Sequence, residues 1–128
     1  MEKLLYKEES YKIIGLCFEI FNTLGPGLKE KNYQKALEEL LDANKISFAA
    51  QLYVPIKING KMVGKYFLDF LVKNKIAIEL KAGDHFHRRD IEQLHNYLKS
   101  TGLKLGLLVN FTSEGVKFKR ILNIRNYS

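Results

Sequence analysis

Asp69, Glu79 and Lys81 are the residues of this 128-residue chain whose types and spacing could do chemistry. They lie in YFLDFLVKNKIAIELK, residues 66–81, which reads as two short strands joined by a turn at residues 73–75, because apolar and β-branched residues run up to Asn74 and resume after it. Period-two alternation on the first strand predicts Phe67, Asp69 and Leu71 on one face and Tyr66, Leu68, Phe70 and Val72 on the other. On the second, Ile76, Ile78 and Leu80 oppose Ala77, Glu79 and Lys81. An acid thus stands inside each of two apolar strands, and a lysine follows the second acid on the same side. A carboxylate half-buried in a sheet needs a positive partner or a cation, since desolvating it alone costs on the order of several kcal/mol. Two such groups together make a site for a hard divalent ion such as Mg²⁺, and the adjacent ammonium could hold a phosphate oxygen or orient a water. The same spacing admits a plainer arrangement, a Glu79–Lys81 ion pair on a solvated face with Asp69 at an edge.

The elements that must position these groups follow from the flanking patterns. Residues 8–24 predict a helix, with Ile13, Cys17, Ile20 and Leu24 at spacings of three and four, broadened by Ile14 and Phe21. Gly25-Pro26-Gly27 stops it. A second helix over residues 28–44 buries Tyr33, Ala36, Leu37, Leu40 and Leu41, with Glu30 in its first turn. There Glu30 either stabilises the helix or brings a third carboxylate against the strand pair. Residues 48–58 alternate as a strand, Phe48, Ala50, Leu52, Val54, Ile56 and Ile58 sharing a face, and Pro55 assigns it to an edge or a bulge. Asn59-Gly60 is a hairpin turn, so three strands form an antiparallel meander.

A third helix over residues 88–100 buries Ile91, Leu94 and Leu98 and sets Gln93 and Tyr97 one turn apart on a neighbouring face, where both could pack quietly or donate hydrogen bonds near the acids. The apolar run 103–111 predicts a central strand covered on both faces and parallel to a meander strand. Residues 116–124 add a last strand with Val116, Phe118 and Ile121 inward, and the terminal residues 125–128 are expected to be loose.

Composition narrows the function classes. A length of 128 residues, 46% of them hydrophobic, suits one domain over residues 1–128 with a single core. The apolar runs are too short or too charged to span a bilayer, and the opening MEKLLYKEES has no signal-like apolar segment, so a cytoplasmic location is expected. Cys17 is alone, which excludes an intramolecular disulfide and suits core packing. The net charge of +7 favours a polyanionic partner over a membrane surface. His85 and His87 lack the Cys/His company of a zinc site and suit surface or phosphate contacts. The Gly25-Pro26-Gly27 turn follows a helix and lacks the lysine of a P-loop, and no serine nucleophile elbow is present.

With helices and strands in the order α-α-β-β-β-α-β-β, and an acid on the second strand with Glu-x-Lys on the third, the chain resembles the PD-(D/E)xK nuclease superfamily. Gly27-Leu-Lys-Glu30-Lys-Asn-Tyr33 looks like the motif of the small bacterial GxxExxY family, and Gln93-Leu-His-Asn-Tyr97 is similar to the QxxxY feature of RecB-like nucleases. Asn110-Phe111 after the apolar strand also fits, and the likeness runs over residues 11–124. The proline of the superfamily's name is absent before Asp69, where Leu68 stands.

The resemblance implies an α/β restriction-endonuclease-like core, a mixed sheet of four to five strands flanked by helices. It further implies a metal-dependent nuclease hydrolysing phosphodiester bonds, in DNA more than RNA, structure-selective or non-specific. Asp69 and Glu79, with the carbonyl of Leu80, would hold Mg²⁺ or Mn²⁺, and Glu30 would approach as a further ligand. Lys81 would orient the water, and Gln93 and Tyr97 would position the site. Lys29, Lys31, His85, His87, Arg88 and Arg89 would hold the nucleic-acid backbone. Whether the chain works as a homodimer or beside a protein partner stays open. The competing readings are a catalytically silent nucleic-acid-binding or regulatory protein on the same fold, an enzyme of another phosphate substrate, and a structural domain whose acids are paired with Lys or Arg.

Overall fold

The computed structural model describes residues 5–123. Helix α1 (Lys7–Leu24) and helix α2 (Glu30–Ala43) precede strands β1 (Phe48–Ile58), β2 (Lys61–Val72) and β3 (Ile76–Ala82). Helix α3 (Arg88–Thr101) and strands β4 (Leu105–Phe111) and β5 (Val116–Leu122) complete the chain. The five strands lie in sequence order in one sheet. The pairs β1–β2, β2–β3 and β4–β5 are antiparallel, while β3 and β4 run parallel. This is the expected restriction-endonuclease-like α/β architecture. Residue 124, expected in the last strand, and the tail 125–128 lie outside the described residues.

Local chemistry explains the joints. The Gly25 N–H returns to the Phe21 carbonyl at 2.8 Å with φ at 75°, the left-handed backbone that glycine supplies where a helix ends. Both hairpin turns place two successive residues at positive φ, Asn59-Gly60 and Lys73-Asn74, the geometry that matches strand twist.

The helices cover opposite faces of the sheet. Under α1 and α2 lie Phe70, Val72, Ile76, Ile78, Leu80 and the odd-numbered residues of β4. Under α3 lie Leu68, Ala77 and Leu108. Strand β4 is buried along its whole length, as a strand covered on both faces must be. Gly106 lets α3 approach it: a Cβ there would stand 2.9 Å from Leu94 Cγ. Among the described residues, no helix is long and apolar enough to cross a membrane.

Three expectations are corrected. The unbroken alternation of β1 and β2 fails. Phe48, Ala50 and Phe70 belong with the α1–α2 layer, but Leu52, Val54, Tyr66, Leu68 and Leu71 belong with the α3 layer. Both strands change face at Gln51 and Asp69, where Gln51 takes a φ of 53° and neither residue joins the ladder between Ala50–Phe70 and Leu52–Leu68. Ile56 and Ile58 are exposed, because the hairpin runs on past the helices that would cover them. Leu24 and Phe118 are also exposed, whereas Leu16 joins the core in the stripe of α1.

Candidate active site

The departure of β2 from β3 creates the site. Only Phe70, Leu71 and Val72 pair with β3. At the next residue the side chains take over: the Asp69 N–H donates to Glu79 Oε2 at 3.1 Å, and the Leu80 N–H donates to Asp69 Oδ2 at 2.8 Å. Each carboxylate satisfies a backbone donor that the parting ladder would leave unpaired, so the acids hold the split open and the split holds the acids together. Gln51 Nε2 reaches Asp69 Oδ1 at 3.4 Å from the neighbouring strand.

A third carboxylate continues the row. Glu30, the first residue of α2, accepts from the Ala82 N–H at 3.2 Å, two residues beyond Leu80 on the same edge of β3. Its position is braced from within the helix. Tyr33, fully buried one turn later, stacks on Phe111 with ring centroids 4.1 Å apart. Its hydroxyl donates to the Gly25 carbonyl at 2.7 Å and accepts from the Leu28 N–H at 3.2 Å. The Gly27, Glu30 and Tyr33 spacing therefore has a physical meaning: the tyrosine fastens the loop that delivers the glutamate to the sheet edge.

From the other side, the first turn of α3 contributes Asp90, which the sequence analysis did not single out. Lys81 Nζ stands 3.7 Å from Asp90 Oδ1 and 3.9 Å from Glu79 Oε1, loose enough that neither acid locks it. Tyr97 is buried and packs edge-on against Tyr66 at 6.5 Å. Among the described residues neither Gln93 nor Tyr97 hydrogen-bonds to the three acids. Both instead line a cleft of about 460 Å³ between α3 and the β1–β2 hairpin, with Tyr66, Val54 and Arg89. Asn110, beside Lys81 in the parallel ladder, donates through Nδ2 to the carbonyls of Gly83 at 3.3 Å and His85 at 2.8 Å. It thereby anchors the loop that carries His85 and His87. Lys29, Lys31, His85, His87, Arg88 and Arg89 are all exposed.

The electrostatics distinguish this site from a solvated ion pair. Glu79 is only 6% exposed. Burial pushes its carboxyl up to about 8, the Asp69 charge adds to the rise, and the Asp69 N–H and Lys81 only partly oppose it. Burial likewise raises Asp69; Glu30 adds to the rise, against the Leu80 N–H, Lys81 and Gln51. Two adjacent carboxyl groups with one loosely held ammonium are short of positive charge. Burial and the nearby Glu79 also raise the Tyr66 hydroxyl.

No three Asp, Glu, His or Cys side chains among the described residues converge into a ready-made metal cage. A hard divalent ion asks for less, binding through one or two carboxylates and keeping several waters. Asp69, Glu79 and Glu30 each commit one oxygen to a backbone N–H. Among the described residues, the remaining oxygens meet only Gln51 at 3.4 Å and Lys81 at 3.9 Å, so this donor set fits such an ion.

A structural likeness is found to the crystal structure of SSO0001, with a TM-score of 0.54 at 20% identity, covering 75% of this chain. The chain spans half the length of that protein, and the likeness concerns the fold alone. No curated protein matches the chain. The family model described as the PD-(D/E)XK nuclease superfamily matches residues 7–121, nearly the whole described chain. The chain belongs to the PD-(D/E)XK nuclease superfamily.

Proposed function

We propose that the protein is a metal-dependent nuclease that hydrolyses phosphodiester bonds, in DNA before RNA, and that it falls in the GxxExxY branch of its superfamily. One observation carries the reading: half-buried Asp69 and buried Glu79, each raised in pKa chiefly by burial, face each other where β2 leaves β3, a pair that gains from a divalent cation and from little else. A silent nucleic-acid binder would have no use for two adjacent acids at this sheet edge, since neither attracts a polyanion without a cation between them.

In this mechanism Asp69 and Glu79 would hold Mg²⁺ or Mn²⁺, with a backbone oxygen from the Leu80 carbonyl at the edge where its N–H meets Asp69 and with Glu30 directly or through a water. Such an ion would supply a more acidic water and offset charge on the phosphoryl oxygens. Lys81, unlocked between Glu79 and Asp90, is free to swing onto the attacking water or a phosphate oxygen and to balance charge growing there. Asp90 keeps the ammonium near. Gln93 and Tyr97 line the adjoining cleft and orient the strand being cut, while the exposed bases of α2, the 83–87 loop and α3 hold phosphates. The work belongs in the cytoplasm.

The test separates ligand from lysine. Wild type, Asp69→Asn and Lys81→Ala are titrated with Mn²⁺ by calorimetry and incubated with a labelled oligonucleotide in Mg²⁺. Asp69→Asn is expected to lose both metal binding and cutting, and Lys81→Ala to keep the metal and lose cutting by at least about 100-fold. Equal cutting by all three proteins would overturn the assignment.

A further inference from the structure

We propose that the outer part of the β1–β2 hairpin is a single-strand grip, a surface that binds unstacked nucleic acid and leads it to Asp69; the proposal rests on the nuclease reading. Because β2 pairs with β3 only at Phe70, Leu71 and Val72, residues 61–68 pair with β1 alone. That leaves a two-stranded ribbon roughly 25 Å long at ~3.3 Å per residue, covered by α3 on one face at Leu68 and Tyr66 and bare beyond them. A bare ribbon is marginal by itself, and a function that needs reach explains its length.

One face of the ribbon is built from residues that the register places together. Tyr53 pairs with Phe67, Pro55 with Lys65 and Lys57 with Met62. Tyr53 and Phe67 meet edge-to-face at 5.7 Å, and the Tyr53 hydroxyl lies 3.0 Å from Met62 Sδ. Yet Tyr53 is 49% exposed, Phe67 47% and Met62 57%. Pinned aromatic rings left in water offer flat faces to something that stacks.

Charge chooses among occupants. Between residues 51 and 68 the sequence has three lysines, Lys57, Lys61 and Lys65, and no acid. A second copy of the chain would set lysines against lysines, whereas a polyanion is attracted. Lysines interleaved with exposed aromatics are the means by which proteins hold single strands, bases stacking on rings while phosphates meet ammonium groups. Bases inside a duplex have no free faces to give. The ribbon also leads to the site, since Phe67 is two residues from Asp69 along β2.

Fluorescence anisotropy of a labelled oligothymidylate, in EDTA so that nothing is cut, reads the grip on the full chain. Both Tyr53→Leu/Phe67→Leu and Lys57→Ala/Lys65→Ala are expected to weaken binding about tenfold. The lysine pair should also flatten the dependence of log Kd on log salt by about 1.4, from ~0.7 per phosphate contact on single strands, and the leucine pair should leave that slope intact. Leucine keeps the apolar character and removes only the rings, and all four positions are exposed, so folding is retained. Unchanged binding in both doubles overturns the proposal. So does a duplex of equal length binding as tightly as the single strand. Sedimentation as a dimer that the lysine or leucine pair dissolves, with oligonucleotide binding untouched, overturns it in favour of an interface between copies. Failure of metal-dependent cutting with the anisotropy losses intact would sink the nuclease reading and leave the grip standing; retained cutting without those losses would do the reverse.

Discussion

Replacing Glu79 by glutamine should make the metal-free protein less sensitive to alkaline pH. Glu79 is nearly buried, and its carboxyl is held up at about 8 against an ordinary value of 4.5. An acid whose pKa is higher in the folded chain binds its proton more tightly there. The associated stability is fully present below about pH 4.5 and is lost as pH rises through about 8. At about 1.4 kcal/mol per pH unit the gap sets a ceiling of roughly 5 kcal/mol. Because Asp69 and Glu79 titrate as a pair, and Lys81 gains from the ionised form, a loss of about 3 kcal/mol between pH 5.5 and 8.5 is expected. Glutamine keeps the amide-accepting oxygen for the Asp69 N–H and has no proton to lose. Urea unfolding of wild type and Glu79→Gln in EDTA, at pH 5.5, 7.0 and 8.5, measures the difference directly. The advantage of the variant should grow by about 3 kcal/mol across the series. Parallel stability profiles, or an advantage that shrinks with pH, would refute the claim that a buried, charge-starved Glu79 lies at the centre of the site.

Three further outcomes follow from the same geometry. Millimolar Mg²⁺ or Mn²⁺ should raise the melting temperature of wild type at pH 8.5 far more than at pH 5.5, because protons compete with the cation for the Asp69–Glu79 pair, and a calorimetric scan of Glu79→Gln should show little of either shift. Tyr33→Phe removes the hydroxyl joining Gly25 and Leu28 while keeping the ring on Phe111. Chemical denaturation should register a loss of about 1 kcal/mol, and cutting should fall further than stability as Glu30 loosens. Gly106→Ala drives a methyl to 2.9 Å from Leu94 Cγ, where α3 packs on the sheet, and should cost about 1–3 kcal/mol in unfolding free energy.

Much of this arrangement was legible in the sequence because it rests on local signals. Apolar periodicity gave helices within a few residues of Lys7–Leu24, Glu30–Ala43 and Arg88–Thr101, and Asn59-Gly60 announced its hairpin. The fully apolar run of β4 announced a strand covered on both sides. Alternation also set Glu79 correctly opposite Ile78 and Leu80. It failed at Asp69 for a reason that no window of residues contains: the carboxylates replace backbone partners, so the strands change face there without a glycine or proline to mark the change. Gln51 was invisible for the same cause, as it matters only by standing across from Asp69. Asp90 and Asn110 act through tertiary contacts with Lys81 and with the 83–87 loop, and their types alone do not distinguish them from surface acid and strand filler. Tyr33 read as core, which it is; that its hydroxyl also fastens the loop before Glu30 is a contact that no apolar periodicity marks.

The most direct test of the account is cleavage by the wild-type protein of labelled single-stranded, duplex, flapped and four-way DNA and of single-stranded RNA, each in Mg²⁺, in Mn²⁺ and in EDTA, with Lys81→Ala run alongside. The account predicts cutting that requires the metal, disappears in Lys81→Ala and is strongest on DNA with an unpaired segment. Salt-sensitive binding of the same panel with no cutting in either metal would contradict it and identify a protein that keeps the nuclease fold without the reaction.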